Sequence, residues 1–313
     1  MASLDRSPHT HQINLWIALT QFEPTFTATL GELGYECDVI EDQFYITDAD
    51  GAQIIHPDVI LTNINTDHSL VIDCKSSSLD REQLIRYLAL NDHEEQLVVQ
   101  DVIDGISAGE ISTEVTLSSF DDLTDQGVPT DIAVVHFDQD PYSGLAIWNP
   151  EPQEFSHPPT ADLFPINVEP GEPLPTGYYP FDIYEADKEA MVSSILNSII
   201  SLAMKQGEYS FEEILDQAHP YWDKIGSDKQ AELLERTERI HAELLDAGLD
   251  EYVEKIAGTS GQEWGQISAT MQAIQARTDY YVDRALDRLP QSRLDSDAWQ
   301  SSTGSEDDEE NPV

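Results

Sequence analysis

The sequence predicts an α/β fold, a mixed sheet with helices on its faces, followed by an all-α C-terminal domain. Two changes of texture carry this reading. Up to about residue 149, short apolar runs of strand length alternate with segments of helical spacing. Beyond residue 183 the apolar residues recur three or four apart, as on one face of a helix. A proline-rich stretch, 150–182, separates the two regions and reads as a linker or surface-hugging arm.

The elements follow in order. Residues 24–33 place Phe26, Leu30 and Leu33 at helical spacing, with Pro24 in a tolerated first-turn position and Gly34 as the stop. Strands are expected at about 35–40, 43–47, 53–62 and 69–75, with an Asp-Ala-Asp-Gly turn after the second. Residues 80–91 read as a helix capped by Asp80, and the apolar runs 96–100, 132–137 and 144–148 as further strands. In the second half, 184–205, 210–218, 228–247 and 262–289 read as helices. The domains are therefore drawn at 1–149, 150–182 (linker), 183–294 (helical) and 295–313, an acidic disordered tail.

Composition sets the surroundings. With 61 Asp and Glu against 15 Lys and Arg, the formal net charge is -46. Acids are scattered evenly while apolar residues stay at 40%, which argues for a folded protein with an acidic surface. At molar ionic strength the Debye length falls to roughly 3 Å, so this repulsion is screened. The chain reads as halophilic and archaeal, working in a salt-rich cytoplasm. It has no broad basic patch, so contact with nucleic acid would need local groups or metal ions. The N-terminus lacks the apolar core of a signal peptide, and no stretch approaches the ~18 apolar residues of a membrane span. Cys37 and Cys74 are too few for a disulfide framework or a four-cysteine metal site.

One residue stands out against this composition. Lys75 is the only lysine before residue 188, and it ends the apolar run Val-Ile-Asp-Cys-Lys. If the chain between 53–62 and 69–75 reverses between Asn65 and Thr66, cross-strand partners sum to 131 and Asp58 faces Asp73. Directly paired residues lie about 4.5–5.5 Å apart at Cβ, and Lys75 shares the face of Asp73 because side chains alternate. Two like charges so placed are offset naturally by a hard divalent cation. Mg²⁺ (or Mn²⁺) held by Asp58, Asp73 and the Cys74 carbonyl would lower the pKa of a bound water and neutralise charge on a phosphoryl group. Lys75 would orient or help deprotonate the attacking water.

His-Pro-Asp58, fourteen residues, then Asp73-Cys-Lys75 at a strand end resembles the PD-(D/E)xK nuclease motif of restriction endonucleases, archaeal Holliday-junction resolvases and RecB-type nucleases. The resemblance covers roughly residues 20–100 and implies a restriction-endonuclease-like core. It further implies a glutamate on the preceding helix as a further metal ligand, for which Glu23 is the counterpart and Glu32 the reserve. It implies that Gln83 and Tyr87, four apart on one helix face, are similar to the Gln-xxx-Tyr element of RecB-type members. The four cysteines of the iron–sulfur relatives are missing. The expected activity is metal-dependent hydrolysis of phosphodiester bonds, in DNA, with Asp58, Asp73, Lys75, Glu23, Gln83 and Tyr87 as site residues. The rival is a non-catalytic binding module on the same fold, in defence, repair or a mobile element. A well-placed Glu23 separates the two, favouring the enzyme.

Plainer readings stand beside each of these. Asp73 and Lys75 can form a surface ion pair of little energetic consequence, Tyr87 can simply pack, and Ser76, Ser77 and Ser78 can open a loop instead of contacting phosphate. Of nine histidines only His9, His11 and His56 lie near anything of interest, and His56 reads as a strand residue. A helix-turn-helix over 210–248 would set Arg236 and Arg239 among acids, so a helical bundle for substrate positioning, a homodimer or a partner is the safer expectation. Residues 262–289, with Tyr280, Tyr281, Arg284 and Arg288, are the least acidic part and suit a nucleic-acid or partner contact.

Overall fold

Ser7 and Pro8 set the first element of the computed structural model, which describes residues 7–48, 51–75, 79, 81–92, 112–123, 126–140, 144–168, 172, 174–259, 262–266 and 274–289. The Ser7 hydroxyl accepts from the Thr10 backbone N–H at 3.0 Å and Pro8 takes the first helical position, so α1 runs Pro8–Leu19. Nine of its twelve residues are buried, His9 being one of the exceptions. A helix covered nearly all round has no polar stripe, which is why apolar periodicity does not reveal it.

The expected helix at 24–33 is shortened to α2, Leu30–Leu33. Phe26 instead bridges to Val168, and the Thr27 N–H donates to the Asn167 carbonyl at 3.0 Å; the three threonines at 25, 27 and 29 suit an extended chain.

Strands β1 (Glu36–Ile40), β4 (Val59–Asn63), β5 (His68–Lys75), β6 (Ser112–Ser119), β7 (Ala133–Asp140), β8 (Gly144–Trp148) and β9 (Ile166–Val168) form one sheet in the order β1-β4-β5-β6-β7-β8-β9. Pairs β5/β6 and β6/β7 are parallel and the rest antiparallel, which makes the sheet mixed. The strand expected over 53–62 is divided: β2 (Phe44–Asp48) and β3 (Gly51–Ile55) make a separate hairpin, and His56-Pro57-Asp58 leads into β4. Proline has no N–H to donate to a ladder, so the break falls there. Strand β6, rich in Ser and Thr, has no apolar run to announce it. The run 96–100 and the cap Asp80 lie outside the described residues, as do Ser76, Ser77 and Ser78.

Both faces of the sheet are covered. On one, Val59, Leu61, Leu70, Ile72, Val135 and Phe137 pack with α1 and with residues of the C-terminal helices in a single core. On the other, Ile60, Val71, Val115, Leu117 and Val134 pack with Tyr87, Leu84 and Leu88 of α3, Arg81–Asp92. Every residue of β4 and all of β5 but Lys75 are buried, as expected for central strands.

The proline-rich stretch is an arm rather than a free linker. It contains α4, Pro158–Ala161, adds β9 to the sheet edge and buries Phe155, Tyr179 and Phe181. Its end is clamped to α1: the Asn14 carboxamide oxygen accepts from the N–H groups of Tyr178 and Tyr179 at 3.2 and 3.0 Å.

The C-terminal region is mainly helical, with α5 (Lys188–Gln206), α6 (Phe211–Ala218), α7 (Ser227–Asp246) and α8 (Thr278–Arg288). The single helix expected over 262–289 is replaced by β12 (Gln262–Gln266) and α8; β12 lies between β10 (Glu208–Tyr209) and β11 (Val253–Thr259) in a small sheet. Arg239 pairs with Glu235 at 3.4 Å, one turn away on the exposed side of α7. Among the described residues, no helix is long and apolar enough to cross a membrane.

The two regions meet where Ile225 bridges Ile40 and the Gly226 N–H donates to the Ile40 carbonyl at 2.9 Å. A Cβ on Gly226 would sit 2.5 Å from the Glu41 carbonyl oxygen and 2.6 Å from the Asp42 Cα, both backbone atoms. Gly226→Ala is therefore expected to lower stability by about 1–3 kcal/mol, read as a lower melting temperature in molar KCl.

Candidate functional site

The site begins with strand register. Val59 pairs with Ile72, Ile60 with Val71 and Asn63 with His68, so partners sum to 131 as the reversal at 65–66 requires. Asp58, just ahead of β4, donates its N–H to the Ile72 carbonyl at 2.9 Å. Its Oδ2 accepts from the Cys74 N–H at 2.5 Å. Asp73, 3% exposed, feels the charge of Asp58 and lies 2.5 Å from Lys75 Nζ through Oδ2. Lys75 Nζ also donates to Gln83 Oε1 on α3 at 2.7 Å. Asp58, Asp73, Lys75 and Gln83 thus converge. Tyr87, one turn beyond Gln83, is fully buried and feels the charges of Asp73 and Asp58.

Glu23 is not among them. Its carboxylate accepts from the Tyr178 hydroxyl on the arm, and Glu32, the reserve, is exposed on α2. The cause is local: the helix meant to carry Glu23 does not form, and α1 takes its place beside the strands. From α1, Gln12 donates to the Lys75 carbonyl at 2.9 Å and His9 Nε2 lies 3.0 Å from Asp58 Oδ1. His9 and Gln12 are three apart, hence neighbours on one helix face. The Cys74 side chain points to the opposite face, where burial holds its thiol in the neutral form.

The third acid is Glu41, which the sequence reading missed. It follows β1 with φ +47°, a left-handed conformation rare for a residue with a Cβ, and its N–H donates to the Asp58 carbonyl at 2.9 Å. One nitrogen of His9 and one oxygen each of Glu41 and Asp58 lie within 4.8 Å of one another. No pattern of spacing ties 9, 41 and 58 together. The one available signal was the Ser-Pro helix start ahead of His9.

Electrostatics follow from this crowding. Burial raises the Asp73 carboxyl, Lys75 pulls it back and Asp58 lifts it again, to about 7. Asp58 is held below its ordinary value: burial opposes this, but His9, the Cys74 N–H and Lys75 outweigh it. Burial alone would lower His9, yet Asp58, Glu41 and Asp182 raise it to about 9. Without metal, His9 and Asp58 are an ion pair and Asp73 titrates near neutrality.

Both raised groups bind a proton more strongly folded than unfolded, so the stability they contribute is present at low pH and lost on alkalinisation. For Asp73 the loss runs from its ordinary value of 3.8 to about 7, and for His9 from 6.5 to about 9. In EDTA and molar KCl the melting temperature is expected to fall from pH 5 to 9. Asp73→Asn should flatten the part below pH 7 and His9→Gln the part above it.

Comparison with known proteins adds lineage. Residues 8–179 match the family described as the MJECL32 domain, and residues 184–297 match a domain of unknown function, DUF8601. The chain is 33% identical over 135 residues to the "Uncharacterized protein MJECL32" of Methanocaldococcus jannaschii, an alignment covering 40% of this chain and 31% of that protein. It therefore spans about a third of that relative's length. No solved structure matches the chain. His9, Glu41, Asp58, Asp73, Lys75, Gln83 and Tyr87 all fall inside the first match. Since that match takes in more than half of the 313 residues, the chain belongs to the MJECL32 domain family.

Proposed function

We propose that this protein is a metal-dependent nuclease of the PD-(D/E)xK kind that hydrolyses phosphodiester bonds in DNA. The observation that supports it most is the convergence of Asp58, Asp73 and Lys75, with Gln83 on the lysine and His9 and Glu41 on Asp58. Ordinary packing does not require a buried carboxylate on a central strand with a second, half-buried one beside it.

The donor set fits a divalent cation. His9, Glu41 and Asp58 offer one nitrogen and two carboxylate oxygens within 4.8 Å, and Asp73 is the adjoining acid. An imidazole among oxygens suits Mn²⁺ better than Mg²⁺, though both accept carboxylates. Such an ion would supply Lewis-acid polarisation of a phosphoryl oxygen and a water of lowered pKa.

The chain's own groups do the rest. In hydrolysis the water oxygen bonds phosphorus, the ester oxygen leaves with its electron pair, and the water's proton needs an acceptor. Lys75, held at 2.5 Å by Asp73 and 2.7 Å by Gln83, presents a fixed ammonium to the attacking water and the anionic phosphoryl group. Asp73, beside Lys75 and Asp58, is the carboxylate placed to accept that proton. Gln12 fixes the Lys75 backbone from α1. Molar salt in a halophilic cytoplasm screens the acidic surface from DNA, and substrate positioning or dimerisation falls to the helical region.

The rival reading, a non-catalytic nucleic-acid or partner-binding module, draws on one observation: Glu23 is bound to Tyr178 and away from the site. Glu41 weighs against it by supplying a further acid.

The test is nicking of supercoiled, linear, single-stranded and branched DNA in molar KCl, with Mg²⁺, Mn²⁺ or EDTA. Cleavage is expected only with metal, and Lys75→Ala is expected to lower it by about 10²–10⁴-fold, with Asp73→Ala equally impaired. Equal traces in wild type and both variants would support the binding module instead.

A further inference from the structure

Lys229 is one of six lysines in the chain and the only one described as buried. It sits in the first turn of α7, where the helix dipole disfavours a cation. Its Nζ lies 2.6 Å from Asp182 Oδ1 and 3.3 Å from Glu41 Oε1. Gly226, packed on the Glu41 and Asp42 backbone, is what brings that turn so close. The other oxygen of Glu41 accepts from the Tyr179 hydroxyl on the arm.

Asp182 continues the chain of contacts. It is fully buried; Oδ1 takes the Ile183 N–H at 2.6 Å as well as Lys229, while Oδ2 faces His9 Nδ1 at 3.8 Å. Neither Asp182 Oδ2 nor His9 Nδ1 has a hydrogen-bond partner among the described residues. The opposite nitrogen of the same ring, Nε2, is the one on Asp58. A carboxylate behind a ligating histidine is the usual device for fixing its ring and tautomer.

Glu41 is thus paired with Lys229, and His9 is faced at 3.8 Å by Asp182, both residues outside the MJECL32 match, which ends at 179; Lys229 lies within the DUF8601 match. We propose that Lys229 is a positioning residue of the metal site: it holds the Glu41 carboxylate directly and orients His9 through Asp182, so that the helical region completes the site of the N-terminal domain. This rests on the metal-binding reading given above. Docking alone does not call for such an arrangement, since a buried ion pair is on balance weakly stabilising and an apolar residue on α7 would serve.

The sign of one measurement separates positioning from charge. Removing a cation beside the site should, by charge alone, tighten the binding of a metal ion. Removing a positioning residue should loosen it. Mn²⁺ affinity of the full chain would be read by electron paramagnetic resonance in molar KCl, with thermal melting alongside. Lys229→Met is expected to weaken Mn²⁺ about 10–100-fold, Lys229→Arg to recover most of the loss, and Asp182→Asn to weaken binding while leaving the Lys229–Glu41 contact in place. In a Glu41→Gln, Asp182→Asn background, Lys229→Met should have no further effect.

Unchanged or tighter Mn²⁺ binding in Lys229→Met, or an equal loss in the double-variant background, overturns the positioning role while leaving the metal site standing. If Lys229→Met does not fold, wild-type affinity in Asp182→Asn overturns it. Wild-type protein whose Mn²⁺ signal is absent, or survives His9→Ala, sinks the metal reading and this inference with it.

Discussion

Two carboxylates, Asp73 buried and Asp58 half-buried, held side by side by one strand register are the constraint on which the rest of this molecule turns. β4 and β5 are interior strands covered on both faces, and neither can slip by a residue without turning its apolar set outward. Register therefore fixes Asp58 against Asp73 whether or not their charges agree. Everything nearby answers the resulting repulsion: His9 on Asp58, Lys75 on Asp73, the Cys74 N–H on Asp58, and the proton that Asp73 retains to about 7. A cation in that place would relieve the same repulsion.

Cations are scarce here, and their placement is informative. Six lysines serve 313 residues carrying 61 acids. Two of them are largely withdrawn from solvent, Lys75 paired with Asp73 and Lys229 set between Glu41 and Asp182. Exposed lysines add little to stability in molar salt because screening is complete within a few ångströms. A buried lysine is different: it neutralises carboxylates where salt cannot reach.

The arm and the helical region also acquire a physical role in this picture. The arm threads from the sheet edge at β9, over α1 through Asn14, to Asp182. Asp187 then accepts from the Ser7 N–H at 2.9 Å, which anchors the start of α1 and so the turn bearing His9. Glu41 is held at a positive φ by contacts from Asp58 ahead of β4, from the arm and from α7 together. A conformation that unfavourable persists only where several elements over-determine it.

Local pattern was enough to specify the mixed sheet, the β4–β5 reversal with its register, the helix bearing Gln83 and Tyr87, and the mainly helical C-terminal region. These depend on alternation, turn chemistry and helical period, which act within a dozen residues. The convergence of Asp58, Asp73 and Lys75 was legible for the same reason, since one hairpin contains all three. What tertiary structure alone decided is the other half of the site. Glu23 was displaced because Phe26 and Thr27 bond to the edge strand β9 and the segment does not coil. His9 arrived on a helix so buried that it has no amphipathic signature. Glu41, Asp182 and Lys229 come together from positions 41, 182 and 229, brought into contact by packing of a shared apolar core across the whole chain. Spacing along a sequence carries no record of such contacts, because the burial that creates them is non-directional and is summed over distant elements.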